Sequence, residues 1–193
     1  MSFMRRLGMG IAATGVALLT AGVGAGVAHA DGPDTTKRTV TTIEGAPWVT
    51  LDEGDRNYRV AAVRCFLDQL GYFEGCDPTA DLGDLYTPEL TAAVEQYQVD
   101  RDLPISDRVD TETWATLRTD VGVVERGDSR TDTVKGLQYA LTVLDEPVDV
   151  DGLYGSKTEH AVEAFQERKE IGVDGDVGPL TFRAMFAKGA QQG

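Results

Sequence analysis

The sequence predicts an all-α protein of two tandem three-helix modules. Three observations predict it. Apolar residues recur at helical spacing in six segments. The six fall into two sets of three that repeat one another at matching intervals, as a duplicated unit does. Short turns rich in Gly, Asp and Pro punctuate them.

Residues 1–30 read as a signal peptide rather than as fold. Arg5-Arg6 form a basic start, an apolar run of small residues follows, and Ala28-His29-Ala30 is an A-x-A cleavage site. The mature chain then begins at Asp31. No Cys lies near the site, which argues against a lipid anchor, and no stable membrane insertion is expected after cleavage. Residues 31–47 are polar and Thr-rich and hold Pro33 and Pro47, so they read as a flexible tether.

Residues 48–119 form unit one. Val60, Val63, Leu67 and Leu70 carry the apolar face of its first helix, which stops before Gly71. Leu90, Ala93, Val94 and Tyr97 mark the second, with Thr87 as cap and Pro88 at the first helical position. Val109, Thr113, Trp114 and Leu117 mark the third, capped by Asp110. Cys65 sits on the first helix and Cys76 in the loop after it. In an exported chain two Cys this close are expected to pair as a disulfide. With no His nearby they are too few for zinc, and no CxxC redox pair exists. Closing so short a loop is worth roughly 2–3 kcal/mol in the chain-entropy account.

Residues 123–187 form unit two. Val134, Leu137, Leu141 and Leu144 match the first helix of unit one. The turn DVDGLYG follows, from Asp149 to Gly155. Ser156 is the expected N-cap of the next helix, with Glu159 completing a capping box. Thr158, Ala161, Val162, Phe165 and Gln166 match Leu90, Ala93, Val94, Tyr97 and Gln98. After IGVDGDVGP, Val177, Thr181, Phe182 and Met185 match the third helix of unit one. The copies differ in their turns. Unit one has Asp84 and Thr87 where unit two has Gly152 and Gly155, and ISDRVD where unit two has VDGDVG. Unit one is therefore expected to keep the fold and lose the turn geometry.

Leu137-Gln138 with Leu141, Asp151 with GLYG at 152–155, Thr158 with AVEAFQ at 161–166, and GVDGDVGPLTF at 172–182 form an ordered set over about fifty residues. This set resembles the peptidoglycan-binding domain family, small three-helix modules found on bacterial cell-wall hydrolases. The resemblance implies non-catalytic binding of peptidoglycan by a secreted, wall-associated protein. It implies a groove between the first turn and the helices that accepts the stem peptide or an amino sugar. Asp151, Tyr154, Ser156 and Gln166 are its candidate ligand-binding residues. Tyr154 offers an aromatic face with a hydroxyl, and Gln166 both donates and accepts. The structural alternative stays open: Gln138 and Gln166 hydrogen-bond the turns, and Asp151 caps its own. A second functional reading is a protein-interaction or regulatory module acting on a cell-wall hydrolase.

Charge narrows the partners. The 193-residue chain carries a formal net charge of −14, and loss of Arg5 and Arg6 leaves it more acidic. Such a surface repels nucleic acid and anionic membranes, whose binding rests on Lys and Arg. Catalytic constellations are wanting. After the leader the one His is His160, which cannot by itself build a multi-His zinc site or a triad without a nucleophile beside it. No GxSxG elbow is present. DVDG at 149–152 suggests a calcium loop, but that register puts Pro147 and Thr158 at the first and last ligand positions, and both fail. The two modules, tether and leader use up the chain, so no catalytic domain, metal or cofactor is expected.

Overall fold

A computed structural model describes residues 31, 32 and 34–191. The signal-peptide and cleavage-site readings fall outside the described residues. Among those described are seven helices and four isolated β-bridges: α1 (Lys37–Gly45), α2 (Tyr58–Gln69), α3 (Pro88–Asp100), α4 (Thr111–Val121), α5 (Thr131–Val143), α6 (Ser156–Arg168) and α7 (Pro179–Phe186). Helices α2–α4 build unit one and α5–α7 unit two, as the repeat predicts. None is long and apolar enough to cross a membrane.

The units use the same closing devices. Leu51 exchanges backbone hydrogen bonds with Val109, at 3.1 and 3.0 Å, and Val124 does so with Val177, at 3.2 and 2.8 Å. Each pair ties the segment before the first helix to the turn before the third. Gly54 N–H donates to Tyr86 O and Gly127 N–H to Tyr154 O, both at 2.9 Å. Thr87 and Asp110 cap α3 and α4 as expected, with Pro88 and Pro179 in the first turns of α3 and α7. The expected Cys65–Cys76 disulfide is formed, with the Cα atoms 4.7 Å apart.

The units do not have separate cores. Helix α2 is buried on nearly every side, from Tyr58 through Val63 and again from Cys65 to Leu67. Its second face packs on α5 at Gly136, where an added Cβ would lie 3.2 Å from the Cys65 Cβ and Phe66 ring and 3.3 Å from the Ala62 Cα. Trp114 and Phe186 stack at 5.5 Å between centroids, and Phe66 meets both Phe182 and Phe186 at 5.6 Å. Ala62 and Gly136 hold equivalent repeat positions, as do Trp114 and Phe182, which meet at 6.3 Å. Contact between equivalent positions is what a two-fold relation requires. The chain is thus a fused pseudo-dimer around one hydrophobic core.

The expectation of a flexible tether at 31–47 is corrected. Thr36 caps α1, accepting from the Thr39 N–H at 3.2 Å. The Asp31 carboxylate accepts from the Leu180 and Thr181 N–H groups, each at 2.8 Å, and so caps α7. Gly32 N–H reaches Asp174, and Gly172 N–H reaches the Thr35 hydroxyl, both at 2.7 Å. From α7, Arg183 donates to the carbonyls of Ile43 and Ala46 at 3.0 and 2.7 Å. Threonines and acids that look solvated in the sequence are here helix caps. This arm belongs to unit two in space although it precedes unit one in the chain.

Candidate functional site: the glutamine-clamped turns

Each turn of unit two is held by a glutamine from the preceding helix. Gln138, on α5, has its amide N within 2.9 Å of Asp151 Oδ1, 3.2 Å of Leu153 O and 3.0 Å of the Thr158 hydroxyl. Its carbonyl oxygen accepts from Gly152 N–H at 2.8 Å. Gln166, on α6, repeats the arrangement on the next turn. Its amide N meets Asp174 Oδ1 at 2.7 Å, Asp176 O at 2.9 Å and the Thr181 hydroxyl at 3.1 Å. Its oxygen accepts from the N–H groups of Asp174 and Gly175, both at 3.0 Å. The turns need their glycines: Gly152 and Gly175 have φ of +76° and +75°. A Cβ at Gly152 would come within 2.5 Å of the Thr131 methyl.

The four candidate ligand residues therefore separate. Gln166 is fully buried, and Tyr154 is buried with its hydroxyl donating to Gly175 O at 2.8 Å. Burial is the first cause lifting the Tyr154 phenol far above its ordinary pKa. Both side chains are buried and spend their polar atoms on holding the turns, the structural alternative left open by the sequence. Asp151 is exposed. The Leu153 N–H first, then Gln138, holds its carboxyl below the usual range, so it caps its own turn. Ser156 is exposed but is the first helical residue; the N-cap is Gly155 and the expected capping box is not formed. Gly155 has φ −96°, so of the two glycines in this turn Gly152 alone is left-handed.

Unit one preserves more of this plan than its sequence suggests. Gln98 clamps its second turn, with the amide N within 3.0 Å of the Ser106 hydroxyl, Arg108 O and the Thr113 hydroxyl. Asp107, at the position of Gly175, takes φ +53°, so the left-handed geometry survives without glycine. The expected loss of turn geometry is corrected there. At the first turn Arg64 stands in for Gln138, donating from Nη1 to Leu85 O at 3.1 Å. Its Nε is buried without a partner, and its guanidinium lies over Phe73 at 4.7 Å.

Sequence reasoning missed the apolar turn tips. Leu153 and Val173 are 66% and 54% exposed, and Ile105, the counterpart of Val173, is 63% exposed. Apolar residues at the centre of polar turns were the available signal. Beside the first turn of unit two, Pro147, Val148, Lys157 and His160 line a shallow groove between the α5–α6 loop and α6. His160 is exposed, with Nδ1 2.8 Å from the Glu163 carboxylate. Unit one has a matching groove lined by Tyr72, Phe73, Leu82 and Glu89. Among the described residues no cluster of three or more His, Cys, Asp or Glu is placed to hold a metal.

Helix order, clamped turns and duplication together define a tandem three-helix module with two glutamine-clamped turns in unit two. The peptidoglycan binding domain family matches residues 56–117 and 130–185, more than half of the chain, and the protein belongs to that family. No curated protein sequence matches the chain.

Proposed function

We propose that the protein is a secreted, non-catalytic peptidoglycan-binding protein that acts at the cell wall. The observation that carries this reading is the tandem family match, with both modules complete and fused around one core. Secretion is supported by the leader-like residues 1–30 and by a disulfide, which persists in oxidising compartments. The ligand surface we assign is the first turn of unit two and its groove. There Asp151, Leu153 and Ser156 are exposed while Gln138, Tyr154 and Gln166 fix the backbone beneath them. Direct contact then falls to Asp151 and Ser156, and Tyr154 and Gln166 position the turns. The ligand is the stem peptide or an amino sugar of peptidoglycan.

Co-sedimentation of residues 31–193 with purified peptidoglycan stripped of teichoic acid tests the reading. The folded protein is expected in the pellet, and Leu153→Asp is expected to reduce the bound fraction. A folded protein that stays in the supernatant overturns wall binding and favours a module that contacts a cell-wall hydrolase.

A further inference from the structure

A cavity of about 500 Å³ lies apart from both grooves, between α1, the end of α6, α7 and the closing turn 187–190. Arg38, Arg168, Lys169, Arg183 and Lys188 line it, and Glu170 is the one acid among its lining residues. Five of the chain's 18 Lys and Arg thus gather in one place, in a protein with 32 acidic side chains. Like charges this close repel unless each is neutralised or an anion enters.

Arg183 and Arg168 are engaged by the fold. Arg183 donates to α1 carbonyls and lies 3.5 Å from Glu44, and Arg168 pairs with Glu146 at 3.1 Å. Arg38 and Lys188 are exposed and enter no ion pair among the described residues. The Lys169 ammonium is held below its usual pKa by burial first and then by the Arg168 charge, and it lies 5.9 Å from the Phe165 ring centroid. Ile43, Ala46 and Ala184 add apolar lining, and the Thr42 hydroxyl adds a polar one. The lining at 38–46 and 187–190 lies outside both family-matched segments, so the cavity is not a feature of the repeated module.

We propose that this cavity is an anion site that takes free carboxylates of peptidoglycan stem peptides. The proposal rests on the wall-binding reading and supplies its ligand chemistry. Arg38 offers a planar fork that matches a carboxylate, and Lys188 a mobile point charge. The acidic surface elsewhere repels anions, so the local positive field selects this one place for them. The volume falls in the range of about 300–1,000 Å³ typical of small-ligand sites.

The test is calorimetric titration of residues 31–193 with soluble muropeptides released by a muramidase, and with the same muropeptides after amidation of their carboxylates. The acidic muropeptides are expected to bind at low salt. Amidation, or the double substitution Arg38→Gln/Lys188→Gln, is expected to weaken binding at least about tenfold, with the circular dichroism spectrum unchanged. Equal affinity for the amidated ligand, or an unaffected double variant, overturns the site. Sedimentation with insoluble peptidoglycan separates the two readings. If the wild type still sediments in that case, the cavity fails and wall binding stands; if it binds neither ligand, both fail.

Discussion

Arg59 is the sharpest probe of whether the two units form one body. It sits on α2 of unit one, yet its guanidinium serves the end of α7 in unit two. Nε donates to Phe186 O at 2.8 Å and Nη2 to Ala187 O at 3.0 Å. The neighbouring Tyr58 hydroxyl donates to Met185 O at 2.8 Å. Three successive carbonyls at a helix terminus, which lack intrahelical partners, are thus satisfied from the other unit. A cation at a helix C-terminus also meets the negative end of its dipole. Burial lowers the Arg59 pKa and pushes Tyr58 up to about 12, so both groups carry a desolvation cost that these bonds offset.

Arg59→Met keeps the aliphatic stem and deletes both bonds. A hydrogen bond from a charged donor is worth about 1.5–3 kcal/mol net, and the lower end applies because the variant also loses the desolvation cost. The expected loss is about 3 kcal/mol, or roughly 6–12 °C in Tm for a chain of this size. Urea unfolding followed by tryptophan fluorescence and far-UV circular dichroism reads it. Trp48 and Trp114 both lie against α7 rings, so the fluorescence reports the contact between units. The two probes should coincide in a single transition for the wild type and the variant. Arg126→Met, at a side chain 61% exposed, should stay within about 0.5 kcal/mol. A loss under about 1 kcal/mol for Arg59→Met, or two separated wild-type transitions, would refute the fused-body argument.

At the α2–α5 crossing, Gly136→Leu should cost about 3 kcal/mol or more by overpacking, read as a lower urea midpoint. Gly136→Ala should change it little, because gained helix propensity offsets the tight contact. Gln166→Leu should destabilise by about 2–4 kcal/mol, since the Asp174 and Gly175 N–H groups lose their acceptor, whereas Ser156→Ala should leave Tm unmoved in the same scan. Asp176 gives a pH signature. Burial first, then the charges of Asp174, Glu125 and Glu159, raises its pKa in the fold. Its contribution to stability is therefore full below the unfolded carboxylate pKa and is lost as pH rises through the folded value. Asp176→Asn should raise Tm at pH 7, and calorimetry should show the gain vanishing towards about pH 4.

The six repeat helices were legible because their apolar faces recur every three or four residues and their caps are local: Thr87 and Asp110 act within one turn of their own helices. What escaped was non-local. Helix α1 has few apolar residues, and its Thr-rich run is a weak helix former; it is fixed by docking, through Asp31, Thr36 and Arg183. The shared core escaped because the repeat analysis followed only one face of α2. The all-round apolar run that includes Val60–Val63 and Cys65–Leu67 was the available signal, since a helix apolar on every side is buried on every side. The glutamines escaped for a chemical reason. A residue that donates and accepts suits a ligand and a turn backbone equally, and only its burial separates the two roles.

Duplication and the arm lead to different stoichiometries. The repeated grooves come in two copies related by the pseudo-two-fold contact of Ala62 with Gly136. Among the described residues the cation-lined cavity occurs once, because its cations on α1 and the closing turn, Arg38 and Lys188, are not repeated in unit one. A ligand read by the turns can therefore occupy two places of unequal quality: Gln138 holds the first turn of unit two, and Arg64 does so in unit one with one nitrogen unpaired. A ligand read by its carboxylate occupies one. The arm thus gives a symmetric duplication a single distinguished end, and that end lies on unit two, which retains both glycine turns.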